Sequence, residues 1–96
     1  MKTRTEIETA LRNALPLLAA RFHVKRLGLF GSYVRGEQTE ASDVDVLVEF
    51  SAPIGWEIVD VKEHLEKVLG MRVDLVTSPA LKPQYRDRVL SEVVYA

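Results

Sequence analysis

The sequence predicts a small α/β (α+β) fold in which helices back a mixed β-sheet. Apolar residues recur at steps of three or four from Ile7 to Phe22, as they do in amphipathic helices. Residues 43–50 instead alternate between apolar and polar, as in a strand that buries one face. Both patterns occur within 96 residues, a length that predicts a single domain over residues 1–96.

The N-terminal third is predicted to contain one helix and one buried strand. Thr5 and Glu8 have the spacing of a capping box, which predicts the start of the helix. Pro16 is expected to kink or restart this helix, because proline lacks the amide donor of a helix interior. Residues 24–30 are mostly apolar and predict a strand that ends at Gly31.

Two helices and one further strand are predicted after residue 50. The first of these helices is expected from about Gly55 to Leu69. Residues 71–77 then alternate and predict a strand. The last helix is expected to begin near Pro83 and to carry apolar residues as far as Val94.

Composition and charge exclude several classes of protein. The 13 basic and 14 acidic residues give a net charge of −1, so no direct nucleic-acid binding is expected. The chain has no cysteine, which excludes disulfides and thiolate metal sites. No apolar run approaches the ~20 residues that cross a bilayer, so we expect a cytoplasmic protein without membrane contact.

The segment after the first strand predicts a phosphate site. Gly31 and Ser32 end a strand and open a helical turn, where backbone amides can receive a phosphate. The Ser32 hydroxyl can add a donor, and Arg35 can contact a phosphate through two nitrogens. A Gly-Ser pair or a lone arginine is common on ordinary surfaces, so this prediction depends on the acidic residues later in the chain.

Three aspartates in strand positions predict a metal site. Asp43 and Asp45 share one face of a strand, about 7 Å apart. Asp74 lies on the polar face of another strand and becomes the third ligand if the two strands are neighbours. Carboxylate oxygens suit Mg²⁺ or Mn²⁺ held together with substrate phosphates. A single D-x-D pair usually marks only the solvent-exposed face of a strand. Aspartate is depleted in strands, however, and three aspartates occupy strand positions here.

These motifs together resemble those of the minimal nucleotidyltransferases of the DNA polymerase β superfamily. The resemblance rests on G-S-x-x-R-G, five intervening residues, S-D-x-D-x-L-V, and the later V-D-L-V. It implies a polymerase β palm-like fold and ATP as a substrate. It also implies that Asp43, Asp45 and Asp74 are catalytic and hold two Mg²⁺ ions, with Mn²⁺ as a possible substitute. The residues implied to bind nucleotide are Gly31, Ser32, Arg35 and Ser42.

The resemblance also implies a partner protein. Such short proteins are similar to antitoxins that pair with a HEPN-domain ribonuclease toxin and move AMP from ATP to a toxin tyrosine. A hetero-oligomer is therefore expected, since 96 residues leave no room for an acceptor domain. Two alternatives stay open: a module that neutralises its partner by contact alone, and transfer to a small molecule or an RNA end.

Overall fold

The protein is described from a computed structural model that covers residues 2–96. Four helices and four strands form its framework, with a short 3₁₀ turn at Ser78–Ala80. In chain order they are α1 (Arg4–Phe22), β1 (Val24–Phe30), α2 (Ser32–Arg35), β2 (Val44–Phe50), α3 (Glu57–Leu69), β3 (Val73–Thr77), α4 (Pro83–Glu92) and β4 (Val94–Tyr95).

The sheet is mixed and has the strand order β3-β2-β1-β4. Strand β1 runs antiparallel to both β2 and β4, whereas β2 and β3 are parallel. Parallel neighbours need a crossover connection, and α3 supplies it between β2 and β3. The prediction of a small mixed sheet backed by helices is confirmed.

Helices α1 and α3 cover one face of the sheet and form the core with it. Alternation along β2 turns Val44, Val46 and Val48 toward these helices, and all three are fully buried. The opposite face of the same strand carries Asp45 and Glu49. Burial of every second side chain therefore fixes which face of β2 holds the carboxylates.

Helix α1 is capped two residues earlier than predicted. Thr3, not Thr5, is the N-cap, and its partner in the capping box is Glu6 rather than Glu8. The predicted restart at Pro16 is also not seen, because α1 is continuous through this exposed residue. Solvent can hydrogen-bond the carbonyl that the missing proline amide leaves free. None of the helices in residues 2–96 is long and apolar enough to cross a membrane.

The C-terminal segment differs from the predicted helix. Helix α4 stops at Glu92, and Val94 and Tyr95 form β4 beside β1, paired with Leu29 and Gly28. The ring of Tyr95 also lies 3.7 Å from the guanidinium carbon of Arg26. Apolar Val93–Tyr95 therefore packs on the sheet edge instead of extending the helix.

Substitution of Gly28 tests this docking. A Cβ at Gly28 would overlap a methyl of Val93 and lie 3.1 Å from the ring of Tyr95. We expect Gly28→Ala to lower the free energy of unfolding by about 1–3 kcal/mol, a usual cost of overpacking. Urea denaturation of both proteins measures the difference.

The matched control is Gly55→Ala, where the added Cβ meets only a carboxylate oxygen at 3.9 Å. We expect it to change stability by less than about 0.5 kcal/mol, as surface substitutions usually do. Equal stabilities of the two variants would contradict the docking of Val93–Tyr95 against β1.

Candidate functional site

Two carboxylates form the centre of the site. Asp45 of β2 and Asp74 of β3 are direct partners in the parallel register of the two strands. Paired residues of neighbouring strands project from the same face of a sheet, and the strands lie about 4.8 Å apart. The backbone thus places two negative charges side by side, as the sequence predicted for these two residues.

The surroundings of Asp45 oppose its ionisation. Asp45 is partly buried, whereas Asp74 is exposed. Burial, followed by the neighbouring charges of Asp74 and Asp43, raises the pKa of Asp45 from 3.8 to about 6. The site therefore carries more negative charge than its surroundings neutralise.

Gly31 lies directly against Asp45. Its φ of 80° and ψ of −149° belong to a region that only glycine adopts readily. A Cβ at this position would overlap Oδ2 of Asp45. The chain can turn from β1 into α2 this close to the carboxylate only because residue 31 has no side chain. The turn is anchored by Tyr33, which is buried in the core.

Arg35 supplies positive charge at the same turn but already has two carboxylate partners. Its Nε donates to Oε1 of Glu37 at 2.5 Å, and its Nη1 donates to Oε2 of Glu92 at 3.0 Å. The same Oε2 of Glu92 also accepts the backbone N–H of Gly31 at 2.6 Å. Glu92 thus contacts two of the groups that the sequence predicted to bind phosphate.

An open cavity of about 310 Å³ joins these residues. Its polar lining comes from the end of β1, the two aspartates and one side of α4. Apolar residues form the rest of the cavity wall. The lining residues are Phe30, Gly31, Arg35, Asp45, Asp74, Val76, Leu81, Tyr85, Arg88, Val89 and Glu92. The volume is at the lower end of the range of small-molecule sites in proteins.

Not all predicted site residues line this cavity. Asp43 is exposed before β2 and pairs with Arg72, whose Nε lies 3.2 Å from Oδ1. Ser42 lies in a turn, where its hydroxyl oxygen accepts the Thr39 amide at 2.9 Å. It lines a separate cavity of about 620 Å³. Ser32 is the first residue of α2 and is partly buried beside Gly31.

The carboxylates suit a divalent cation, although the third aspartate is paired with Arg72. Among residues 2–96 no three acidic or histidine side chains are grouped closely enough to hold a metal together. Asp45 and Asp74 nevertheless offer adjacent hard oxygen donors, and a cation would relieve the repulsion that raises the pKa of Asp45. Asp43 could join them only by leaving Arg72.

Helix α4 contributes cavity residues that the motifs did not reveal. Tyr85, Arg88 and Glu92 all lie on the cavity wall. Glu92 is 61 residues from Gly31, whose backbone N–H donates a hydrogen bond to it. No local spacing links residues so far apart, and only the β4 pairing, which was also unpredicted, brings the end of α4 to β1.

Comparison with known proteins identifies the family of the chain. A family profile described as "Nucleotidyltransferase domain" matches residues 11–96. Protein adenylyltransferase MntA of Thermococcus cleftensis is 48% identical to the chain over 96 residues, which cover 99% of this chain and 97% of that protein.

Solved structures show the same fold. One described provisionally as a minimal nucleotidyltransferase is similar with a TM-score of 0.82 and 35% identity, covering 97% of this chain and 95% of that one. A toxin–antitoxin complex with AMP-PNP gives a TM-score of 0.67 at 23% identity, over 98% of this chain and 72% of that one. At this identity the second likeness concerns the fold alone.

Replacing Asp45 should stabilise the protein in the absence of divalent metal. The pKa of Asp45 in the folded chain lies above its ordinary value, so ionisation between about pH 4 and 6 costs folded-state stability. After allowance for solvent screening, we expect Asp45→Asn to gain ~1 kcal/mol at neutral pH, or roughly 4–8 °C in melting temperature. The gain should fade as the pH falls through 6 towards 4. Thermal melts in EDTA across this range measure it.

Asp43→Asn is the control, because it removes the same charge from an exposed position that is paired with Arg72. We expect its melting temperature at neutral pH to rise less than that of Asp45→Asn, because burial, the main cause of the raised pKa of Asp45, is unchanged. A destabilised Asp45→Asn at neutral pH would instead mean that Asp45 has a structural role.

Proposed function

Because this chain belongs to the nucleotidyltransferase family, we propose that it transfers AMP from ATP to a tyrosine hydroxyl of a HEPN-domain toxin and so acts as an antitoxin. The name of its Thermococcus cleftensis relative, a protein adenylyltransferase, supports a protein acceptor. A toxin–antitoxin complex of the same fold holds AMP-PNP, and by this analogy we propose a toxin partner and an adenine nucleotide. The protein would then be a single catalytic domain that works in the cytoplasm within a hetero-oligomer.

One observation carries the proposal. Asp45 and Asp74 are paired across parallel strands and face a cavity that Gly31 and Arg35 also line. A nucleotide in this cavity would have its phosphates beside the Gly31 amide and the Arg35 guanidinium, with the carboxylates beneath them. Ser32 would add its hydroxyl from the first position of α2. We assign no phosphate contact to Ser42 in the conformation described, because it lines the other cavity.

The reaction needs one bond made and one broken. The tyrosine oxygen attacks the α-phosphorus of ATP, and the bond to the oxygen bridging to the β-phosphorus breaks. Pyrophosphate leaves with that electron pair, and the phenol proton passes to a carboxylate oxygen. We assign this proton to Asp74, because it is exposed at the cavity and can reach an incoming acceptor.

Asp45 and Asp74 would hold Mg²⁺ or Mn²⁺, with Asp43 joining them after release from Arg72. Two such ions, when bound, would neutralise charge on the attacking and leaving oxygens. Arg35 would orient the phosphates by paired hydrogen bonds. Gly31 would let the phosphates approach the backbone without a side chain in the way.

Helix α4 has exposed apolar side chains that could contact a partner. Tyr85 of α4 lines the cavity and is 53% exposed, and Leu90 on the same helix is 40% exposed. Exposed aromatic and aliphatic side chains are typical of surfaces that bind other proteins. A toxin bound against α4 would bring an acceptor tyrosine close to Asp74.

Substitution of Asp45 tests catalysis. The toxin is incubated with ATP, Mg²⁺ and either wild-type protein or Asp45→Asn, and its intact mass is measured. We expect an AMP-sized increment with the wild type, and a loss of at least about 100-fold in rate with the variant, because a metal ligand is removed. Omission of Mg²⁺ should have the same effect. Co-expression should show that the variant also loses protection against the toxin.

Asp60→Asn is the matched control, since Asp60 is an exposed aspartate on α3, outside the cavity-lining residues. It should transfer AMP at the wild-type rate. Full protection by Asp45→Asn with an unmodified toxin would refute the enzyme proposal in favour of neutralisation by contact. An increment on a small molecule or an RNA end, with none on the toxin, would refute the protein acceptor.

A further inference from the structure

A carboxylate occupies the place expected for a phosphate. Oε2 of Glu92 accepts the Gly31 N–H at 2.6 Å and an Arg35 Nη1 hydrogen at 3.0 Å. Its other oxygen, Oε1, lies 3.2 Å from the same Nη1. One backbone amide and one guanidinium around an anionic oxygen are also how proteins bind phosphate. Glu92 therefore occupies hydrogen-bond donors that a nucleotide would need.

The position of Glu92 is set by the fold rather than by surface mobility. It is the last residue of α4, and β4 begins two residues later beside β1, the strand that leads into Gly31. Its side chain is only 15% exposed. The strand pairing thus holds the carboxylate at the end of β1, where water competes little for the Gly31 amide.

A triphosphate and Glu92 cannot use these donors together. Both are anions, and their repulsion in the same cavity would add to that of Asp45 and Asp74. Glu92 has an alternative partner in Arg88, one helical turn earlier, whose Nε lies 4.0 Å from Oε1. Arg88 is exposed and can follow the carboxylate as it moves away from Gly31.

We propose that Glu92 is an internal competitor of the nucleotide: it occupies the triphosphate site of the empty protein, and the incoming phosphate displaces it towards Arg88. This inference rests on the proposed function, because it assumes that Gly31 and Arg35 bind the triphosphate. Glu92 thereby sets the affinity for nucleotide, and ATP binds more weakly than its contacts alone would allow.

Glu92→Gln tests the competition with little change in shape. The amide oxygen can still accept the Gly31 N–H, but the negative charge is lost. We expect the Kd for AMP-PNP with Mg²⁺, measured by titration calorimetry, to fall roughly 3- to 10-fold, because a neutral acceptor holds the donors less strongly than a charged one.

Glu37→Gln is the matched control. Glu37 also pairs with Arg35 and its removal changes the net charge equally, but its side chain is 61% exposed and it leaves the Gly31 amide covered by Glu92. We expect its Kd to change less than about twofold. Equal tightening by both variants would mean that net charge alone matters, and would overturn the proposal.

Wild-type protein provides a test that does not depend on how the variants fold. In an NMR titration with AMP-PNP, the Gly31 amide and the Glu92 side-chain carboxyl carbon should shift together. A shift of the amide with an unmoved Glu92 carboxyl would overturn the proposal. Weaker binding by folded Glu92→Gln would do the same, because Glu92 would then position Arg35 for the nucleotide instead of competing with it.

The two proposals can fail separately. Tighter binding by Glu92→Gln without AMP transfer to the toxin would leave this inference standing and overturn the proposed function. AMP transfer to the toxin by the wild type, with an unchanged Kd of Glu92→Gln for AMP-PNP, would leave the proposed function standing and overturn this inference. Absence of AMP-PNP binding by all three proteins would overturn both.

Discussion

The parallel pairing of β2 with β3 is the constraint on which the site depends. It places Asp45 beside Asp74. Burial of Asp45, together with the neighbouring charge of Asp74, raises the pKa of Asp45. The strands do not slip to separate the charges, because a shift of one residue would turn Val44, Val46 and Val48 to the opposite face and bring aspartate into the core. Hydrophobic burial on one face therefore maintains an unfavourable charge arrangement on the other. Binding of a cation or a proton between the two aspartates would relieve this repulsion.

Parts of this arrangement follow from local sequence patterns. Period-two alternation identifies β2 and the face of its aspartates, and Gly70 marks the end of α3, where it adopts a left-handed conformation. Glycine at position 31 likewise marks the turn out of β1, where its φ is 80°. In each case the physical cause acts over a few residues, so that the sequence contains the information directly.

Other features depend on contacts distant in sequence and were not predicted. Val93–Tyr95 consists of two β-branched residues and an aromatic one, which favour a strand, but so short a segment forms one only beside a partner, and β1 provides that partner. Arg72, just before β3, pairs with Asp43, an ion pair that no local pattern predicts. Glu92 reaches Gly31 only after α4 and β4 have both docked. Such contacts follow from the tertiary fold, for which single-sequence patterns carry little signal.

The C-terminal segment thus has two physical roles in so small a protein. Strand β4 completes the sheet edge, while α4 before it provides the aromatic, basic and acidic side chains of one cavity wall. Since Glu92 connects this wall to the end of β1, loss of the contact would loosen the same segment that would bind a partner through Tyr85 and Leu90. Displacement of Glu92 by a nucleotide would therefore take place on the same helix that presents Tyr85 to an incoming protein acceptor.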